Sequence, residues 1–156
     1  KSDIKSLSPR LALLPLVTIL GSWLGAVVAF LIMSAGDGVV LQHRALTDCL
    51  ALDSGFAYYS LSSIFITEYR GAELGTIALL ANIIREMITL LLTPLLAKWA
   101  GPLAPISTGG ATTMDTTLPI ITKTIGQKYV ALSIYHGFVT DFTVPFLVTM
   151  WCMMSA

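Results

Sequence analysis

An uncharged run near the N-terminus constrains this chain more than any other feature of its sequence. Residues 11–34 contain no Asp, Glu, Lys or Arg, and about 20 predominantly apolar residues are enough for a helix to cross a bilayer. Of all 156 residues, 55% are hydrophobic and only 12% are charged. A soluble domain of this size does not hide so much apolar surface. The sequence therefore predicts a multi-pass protein embedded in the lipid bilayer.

Charge and cysteine content exclude other classes of partner. Nine Lys and Arg residues balance nine Asp and Glu residues, so the chain lacks the basic surplus that binding to nucleic acid requires. Cys49 and Cys152 lie in or beside apolar sequence with no C-x-x-C spacing, which favours free thiols over a disulfide or a zinc site. We expect no nucleic-acid partner, no metal and no cofactor.

The hydrophobic pattern predicts an all-α polytopic membrane protein with about four transmembrane helices and one re-entrant or discontinuous segment. The chain is predicted to form one membrane domain, 1–156, with spans at 11–34, 45–67 (irregular near 54–55), 74–97 and 130–155. Residues 103–125 are too rich in Gly and Thr at their centre for a continuous lipid-facing helix. Such backbone survives at membrane depth only inside protein or beside water, so two half-helices are expected to meet near Gly109 and Gly110. A full crossing by this segment stays open.

Orientation is indicated by the basic residues that precede the first span. Lys1, Lys5 and Arg10 favour a cytoplasmic N-terminus by the positive-inside tendency. A turn around Asp37 and a short connection at 39–44 are predicted to follow the first span. We expect Lys1 to be a cut or processed end, because the chain does not start with Met.

Two spans carry polar residues at helical spacing. On the third span the polar stripe consists of Asn82, Glu86, Thr89 and Thr93, with Arg85 beside it. On the last span it consists of Ser133, His136, Gly137, Thr140 and Asp141. Two such stripes facing each other would line a pathway for a polar solute.

Charged residues in the middle of these segments are unfavourable, since inserting each one into the membrane costs about 2.5–3.5 kcal/mol. Their presence therefore indicates a structural or functional role. One interpretation of Arg85 is a salt bridge to Asp141 or Glu86 that locks two helices together. Even so, the acids Glu86, Asp115 and Asp141 outnumber it. A buried surplus of carboxylates is either protonated or balanced by a bound cation. This favours proton-coupled or cation transport.

Asp115 lies in the segment predicted to be broken, among hydroxyl side chains contributed by Thr112, Thr113, Thr116 and Thr117. Half-helix ends in such segments present N–H dipoles and carbonyls to solutes. The alternative interpretation is a helix N-cap. Both interpretations are compatible. His136 is interpreted as a hydrogen-bonded polar residue in preference to a proton relay, and Tyr58 and Tyr59 as interfacial aromatic residues.

Four blocks occur in a specific order along the chain. They are residues 54–63 (SGFAYYSLSS), 79–86 (LLANIIRE), 109–119 (GGATTMDTTLP), and His136-Gly137 with Asp141, Pro145 and Phe146. Together they resemble the C-terminal part of the LysO-type lysine exporters. The resemblance implies a bacterial or archaeal inner (cytoplasmic) membrane carrier that expels L-lysine, by antiport against protons. It does not imply an enzyme.

Members of that family are usually longer than this chain, so the resemblance also implies a missing N-terminal half. That half is expected as a separate subunit, as a part removed by truncation, or as a second copy in a homodimer.

The residues suggest how such a carrier would work. Lysine carries two ammonium groups and one carboxylate. Surplus acids would take the ammonium groups, while Arg85 or the N–H groups around Gly109 and Gly110 would take the carboxylate. Glu86 and Asp141 are expected to alternate between a proton and the substrate amine, with the segment around Asp115 as a hinged gate.

Three alternatives stay open. They are a carrier for another cationic or zwitterionic solute coupled to protons or sodium, an intramembrane protease, and a structural subunit of a larger complex.

Overall fold

The computed structural model describes residues 9–35 and 46–154 of the chain. Lys1, Lys5 and the turn and connection predicted at 36–44 lie outside the described residues. Within the described ranges every regular element is helical, which confirms the all-α membrane fold. The helices are α1 (Pro9–Ala12), α2 (Leu14–Ala35), α3 (Leu46–Asp53), α4 (Tyr59–Arg70), α5 (Ala72–Ala100), α6 (Ala104–Gly109), α7 (Leu118–Ile125) and α8 (Val130–Met154), with 3₁₀ turns at Gly110–Met114 and Gln127–Tyr129.

Three continuous helices are long and apolar enough to cross a membrane. In the described part of the chain these are Leu14–Ser34, Ala72–Ala100 and Gln127–Met154, of 21, 29 and 28 residues. At 1.5 Å per residue each reaches about 30 Å or more, the thickness of the hydrocarbon core. Many of their large apolar side chains are exposed in the isolated chain, as expected for surfaces that contact lipid or further protein.

The other two segments that the sequence predicts to enter the membrane are broken near their centres. The first consists of α3 and α4, separated by irregular backbone at residues 54–58. The second consists of α6, the 3₁₀ turn Gly110–Met114 and α7. Pro105 and Pro119 lie in the first turns of α6 and α7, where the missing N–H group of proline costs no helical hydrogen bond.

The broken segments occupy the centre of the fold. α4 packs along α5, and α6 packs against α5. The second broken segment also packs against α8 through its 3₁₀ turn, Gly110–Met114. The largest apolar cluster joins α2, α3, α4, α5 and α8 around Phe56, Ile66 and Val144. A smaller one joins α2, α6, α7 and α8 around Ile106 and Ile121. This arrangement surrounds irregular backbone with protein, as the hydrocarbon environment requires.

Gly137 allows α8 to approach the 3₁₀ turn. A Cβ atom at this position would lie 2.6 Å from the backbone nitrogen of Met114 and 2.9 Å from the carbonyl oxygen of Ala111. We expect Gly137→Ala to lower the free energy of unfolding by about 1–3 kcal/mol, because the backbone must shift to relieve the clash. The thermal unfolding midpoint of the purified protein in detergent measures the effect.

Gly21→Ala is the matched control, since nothing lies within 4 Å of a Cβ atom built on that helical glycine. It should leave stability unchanged or raise it slightly. Equal effects of the two substitutions would contradict the close packing at Gly137.

Candidate functional site

The two broken segments touch each other at their breaks. The backbone N–H of Ala111 donates a hydrogen bond to the carbonyl of Phe56 at 2.9 Å. Gly110 has a φ of +57°, and a Cβ atom there would collide with the Phe56 carbonyl, so only glycine fits. We call this contact between residues 54–58 and the turn Gly110–Met114 the crossing.

The backbone on the α3–α4 side of the crossing is strained. Phe56 and Ala57 have φ angles of +44° and +69°, in the left-handed region that residues with a Cβ atom rarely adopt. Such conformations persist only where surrounding contacts hold them, and they concentrate at functional sites. The strain therefore marks residues 54–58 as a candidate functional segment.

Asn82 on α5 supports this strained segment. Its Oδ1 atom accepts a hydrogen bond from the Ala57 N–H at 2.8 Å, and its Nδ2 atom lies 2.9 Å from the Ala78 carbonyl and 3.4 Å from the Leu52 carbonyl. The side chain is buried and fills the space beside Gly55. Asn82, predicted as a pathway residue, thus satisfies backbone groups that the break leaves without helical partners.

A cavity of about 210 Å³ lies beside the crossing. Three carboxylates from different segments line it: Glu86 of α5, Asp115 of the loop before α7, and Asp141 of α8. We call it the acid cavity. Its other lining residues among those described are Ala57, Tyr58, Tyr59, Ser60, Ala111, Thr112, Met114 and Thr116, so no basic residue of the described ranges lines it.

Asp115 is exposed and not buried as expected, whereas Glu86 and Asp141 are half-buried, and no Lys or Arg of the described ranges pairs with any of the three. Among the described residues, Glu86 and Asp141 have neither a hydrogen bond nor an ion pair from their side chains. Asp115 and Asp141 are close enough to repel each other electrostatically. Within the described ranges no three His, Cys, Asp or Glu side chains are grouped so that they could hold a metal ion. Carboxyl groups that share a cavity favour binding of a proton or a cation, since either reduces their mutual repulsion.

Asp115 does not cap a helix. Thr117 occupies the N-cap position of α7, whereas Asp115 is the C-cap residue of the preceding 3₁₀ turn. Its Oδ1 atom accepts a hydrogen bond from the Thr116 N–H at 2.6 Å. The N-cap interpretation is wrong because the turn unwinds for two further residues before α7 begins.

Arg85 lies on the opposite side of the crossing from the acid cavity. Its Nη1 atom is 3.6 Å from Oδ1 of Asp53, and it borders two further cavities, of about 320 and 330 Å³, beside α2. The interpretation that it pairs with Asp141 or Glu86 is wrong. Successive helical residues diverge by roughly 100°, so Glu86 enters the acid cavity and Arg85 points away from it. Arg85 therefore compensates none of the three acids of the cavity.

Asp53 is a charged residue of this region that the sequence interpretation missed. It is the last residue of α3, directly before the break, and an acid at such a position in an apolar segment was a usable signal. Tyr58 and Ser60, at the start of α4, also line the acid cavity, although Tyr58 was interpreted as an interfacial aromatic residue.

The other predicted site residues stabilise the fold around the cavity. Nε2 of the buried His136 is 3.0 Å from Oγ1 of Thr18, and Nδ1 is 3.4 Å from Oγ1 of Thr113. The Thr89 and Thr140 hydroxyls donate to carbonyls of their own helices, at 3.0 Å and 2.7 Å. The acid cavity thus collects Glu86, Asp115, Asp141, Thr112 and Thr116 from the predicted set, whereas its lining does not include Arg85, Asn82, Thr89, His136, Thr140, Gly109, Gly110 or Thr113.

Asn82→Ala tests the support of the strained segment. The substitution leaves the Ala57 N–H without its acceptor, and we expect it to lower the free energy of unfolding by about 1–3 kcal/mol. Thr76→Val is the control on the same helix, because this exposed hydroxyl donates only to the Ala72 carbonyl of its own helix, and it should stay within about 0.5 kcal/mol of wild type. Thermal unfolding in detergent compares them, and equal midpoints would contradict the assigned role of Asn82.

Comparison with known proteins identifies relatives over most of the chain. The model of the family described as "Lysine exporter LysO" matches residues 1–152. The lysine exporter LysO of Escherichia coli (strain K12) is 39% identical over 103 residues, which cover 66% of this chain and 34% of that protein. A putative lysine exporter of Haemophilus influenzae (strain ATCC 51907 / DSM 11121 / KW20 / Rd) is 37% identical over 130 residues, covering 81% of this chain and 65% of that protein.

The aligned part of the chain thus spans about a third of the length of one curated relative and about two thirds of the other. No solved structure matches the chain significantly.

Proposed function

Because the chain belongs to the lysine exporter LysO family, we propose that it forms part of a carrier that exports L-lysine across the inner (cytoplasmic) membrane. The two relatives named as lysine exporters support the substrate. Their greater length supports a pathway completed by further protein, whether in a longer chain, a separate N-terminal-half subunit or a second copy.

The observation that carries the proposal is the acid cavity. Lysine at neutral pH has two ammonium groups and one carboxylate, so it is a net cation. Glu86, Asp115 and Asp141 border a space of about 210 Å³, and no basic residue of the described ranges lines it. Asp115 is exposed, whereas Glu86 and Asp141 are half-buried, so an ion pair with either of these two is stronger than in bulk water. We assign the cavity to an ammonium group of lysine.

The same carboxylates supply a means of coupling export to protons. When the amine leaves, three carboxylates in a shared cavity repel one another, and protonation relieves that repulsion. A proton and an amine therefore compete for the same oxygen atoms. Glu86 and Asp141, which lack other partners among the described residues, would alternate between them, which makes the carrier an antiporter. Sodium is the alternative coupling ion.

Glu86→Gln is expected to reduce lysine export by about tenfold or more. The substitution removes the proposed charged hydrogen bond between the Glu86 carboxylate and the lysine ammonium group, worth about 1.5–3 kcal/mol, and it also removes a proton acceptor. Export is measured with the intact protein in proteoliposomes under an imposed proton gradient. Glu68→Gln makes the same change at an exposed position of α4 and should transport as wild type does. Wild-type export by Glu86→Gln under a proton gradient would refute the coupling role.

Asp115→Asn tests whether the loop before α7 belongs to the binding site. Lysine that binds only the folded protein raises its unfolding temperature, so thermal shifts titrated with lysine yield an affinity. We expect the dissociation constant for lysine to rise by about threefold to tenfold in the variant. An unchanged constant would remove Asp115 from the site.

The same titration of wild type with arginine, ornithine and sodium separates the remaining classes of function. Stabilisation by lysine supports a lysine carrier, and stabilisation by the other cations in its place supports a carrier for another solute. Absence of any ligand shift would favour a structural subunit.

A further inference from the structure

The Arg85 side chain binds the C-terminal end of α6. Its Nε–H donates to the Thr108 carbonyl at 3.0 Å, and Nη2 lies 3.5 Å from the Ser107 carbonyl. Both carbonyls belong to the last turn of this helix, where carbonyl groups lack helical donors and carry partial negative charge. A guanidinium at this position supplies the missing donors and opposes the helix dipole.

The same guanidinium binds the C-terminal end of α3. Nη1 lies 3.6 Å from Oδ1 of Asp53 and 3.3 Å from Oγ of Ser22, and the Ser22 hydroxyl donates to that Asp53 oxygen at 2.8 Å. The guanidinium carbon also lies 5.2 Å from the centroid of the Phe56 ring, a cation–π distance. Arg85 of α5 thus contacts α2, the end of α3 and the start of the break.

These contacts join the two broken segments at one cation. α3 ends at Asp53 and α6 ends at Gly109, directly after Thr108. A few residues later the breaks meet through the Ala111 to Phe56 hydrogen bond. A guanidinium has five N–H donors in a planar fork. Hydrogen bonds to the oxygens of Thr108, Ser107 and Ser22 engage three of them. The Asp53 carboxylate pairs with the same cation at 3.6 Å, so a carboxylate of the protein already balances its charge.

We propose that Arg85 is a positioning residue, which clamps the ends of α3 and α6 together so that the crossing forms, and does not bind the carboxylate of the substrate. Anchoring Arg85 on this side of α5 also keeps its neighbour Glu86 turned into the acid cavity, because successive helical residues diverge by roughly 100°. The consequence for export rests on the proposed function, whereas the clamp itself does not.

Hydrogen exchange tests the clamp without any transport assay. The Ala57 and Ala111 amides lie on the two sides of the crossing and are hydrogen-bonded to Asn82 and Phe56. In the intact protein, Arg85→Gln should speed exchange in peptides covering both amides by about tenfold or more, because both helix ends lose their shared partner. Wild-type exchange at both sites in Arg85→Gln would overturn the proposal.

Asp53→Asn provides a selective version of this test. It removes the negative charge at the end of α3 but leaves the bond from Arg85 to the Thr108 carbonyl. Exchange should therefore rise around residues 54–58 and at Ala111, whose amide donates to Phe56, and much less in α6. Thr93→Val is the control, a buried hydroxyl of α5 that donates to its own helix at Thr89, and it should exchange as wild type does. Equal loosening of residues 54–58 and of α6 by Asp53→Asn would contradict the separate contacts.

Arg85→Lys keeps the charge but presents one compact ammonium in place of a planar fork. It should restore part of the protection that Arg85→Gln loses. If Arg85→Gln does not fold, Arg85→Lys and Asp53→Asn carry the test, and wild-type exchange at both sites in both variants overturns the clamp.

Cadaverine separates positioning from binding of the carboxylate, because it is lysine without that group. In thermal-shift titrations, Arg85→Lys should weaken the binding of lysine and of cadaverine by the same factor, because both compounds bind in the acid cavity that the substitution disturbs. Selective weakening of lysine, with cadaverine unaffected, would mean that Arg85 binds the carboxylate. If wild type binds neither compound, the proposed function fails while the exchange result on the clamp still stands.

Discussion

Backbone groups freed where a membrane helix breaks must find partners inside the protein, because hydrocarbon offers none. Here backbone groups at the two breaks hydrogen-bond to each other, and polar side chains of α5 provide further partners. Ala111 donates to Phe56, Asn82 accepts from Ala57, and Arg85 donates to the Thr108 carbonyl at the end of α6. The position of each broken segment depends on the other and on two polar side chains one helical turn apart on α5.

The same arrangement places the charges of Arg85 and Glu86 in different surroundings. Arg85 and Glu86 are neighbours in sequence, yet the helix separates them onto opposite sides of the crossing. The side with Arg85 contains an acid, hydroxyls and carbonyls that neutralise and hydrogen-bond the cation. The side with Glu86 contains two further acids and, in the described part of the chain, no basic lining residue. A chain with zero formal net charge therefore contains one balanced polar cluster and one acidic cavity.

Hydropathy and residue spacing predict much of this architecture from the sequence. An uncharged run indicates α2, long apolar runs with few charges indicate α5 and α8, and the Gly/Thr-rich centre of 103–125 indicates irregular backbone. The acids Glu86, Asp115 and Asp141 stand out because charges are rare at membrane depth. The partner of Arg85 was not predictable, since pairing with Asp53 depends on how two broken segments cross. For the same reason Asn82 was taken for a pathway residue, although a polar stripe is equally consistent with satisfying buried backbone groups. The interpretation of His136 as a hydrogen-bonded polar residue agrees with its contacts to Thr18 and Thr113.

The two sides of the crossing differ in what a conformational change would cost. On the Arg85 side, any separation of α3 from α6 breaks charged hydrogen bonds to a cation that is mostly removed from water, and each such bond is worth about 1.5–3 kcal/mol. On the acid side, Glu86 and Asp141 make no such bonds with the described residues, so movement there breaks none. Binding of a cation would reduce the repulsion among the three acids, and release would restore it. We therefore expect the conformational change coupled to cation binding to occur at the acid cavity, while Arg85 keeps the ends of α3 and α6 together on the other side of the crossing.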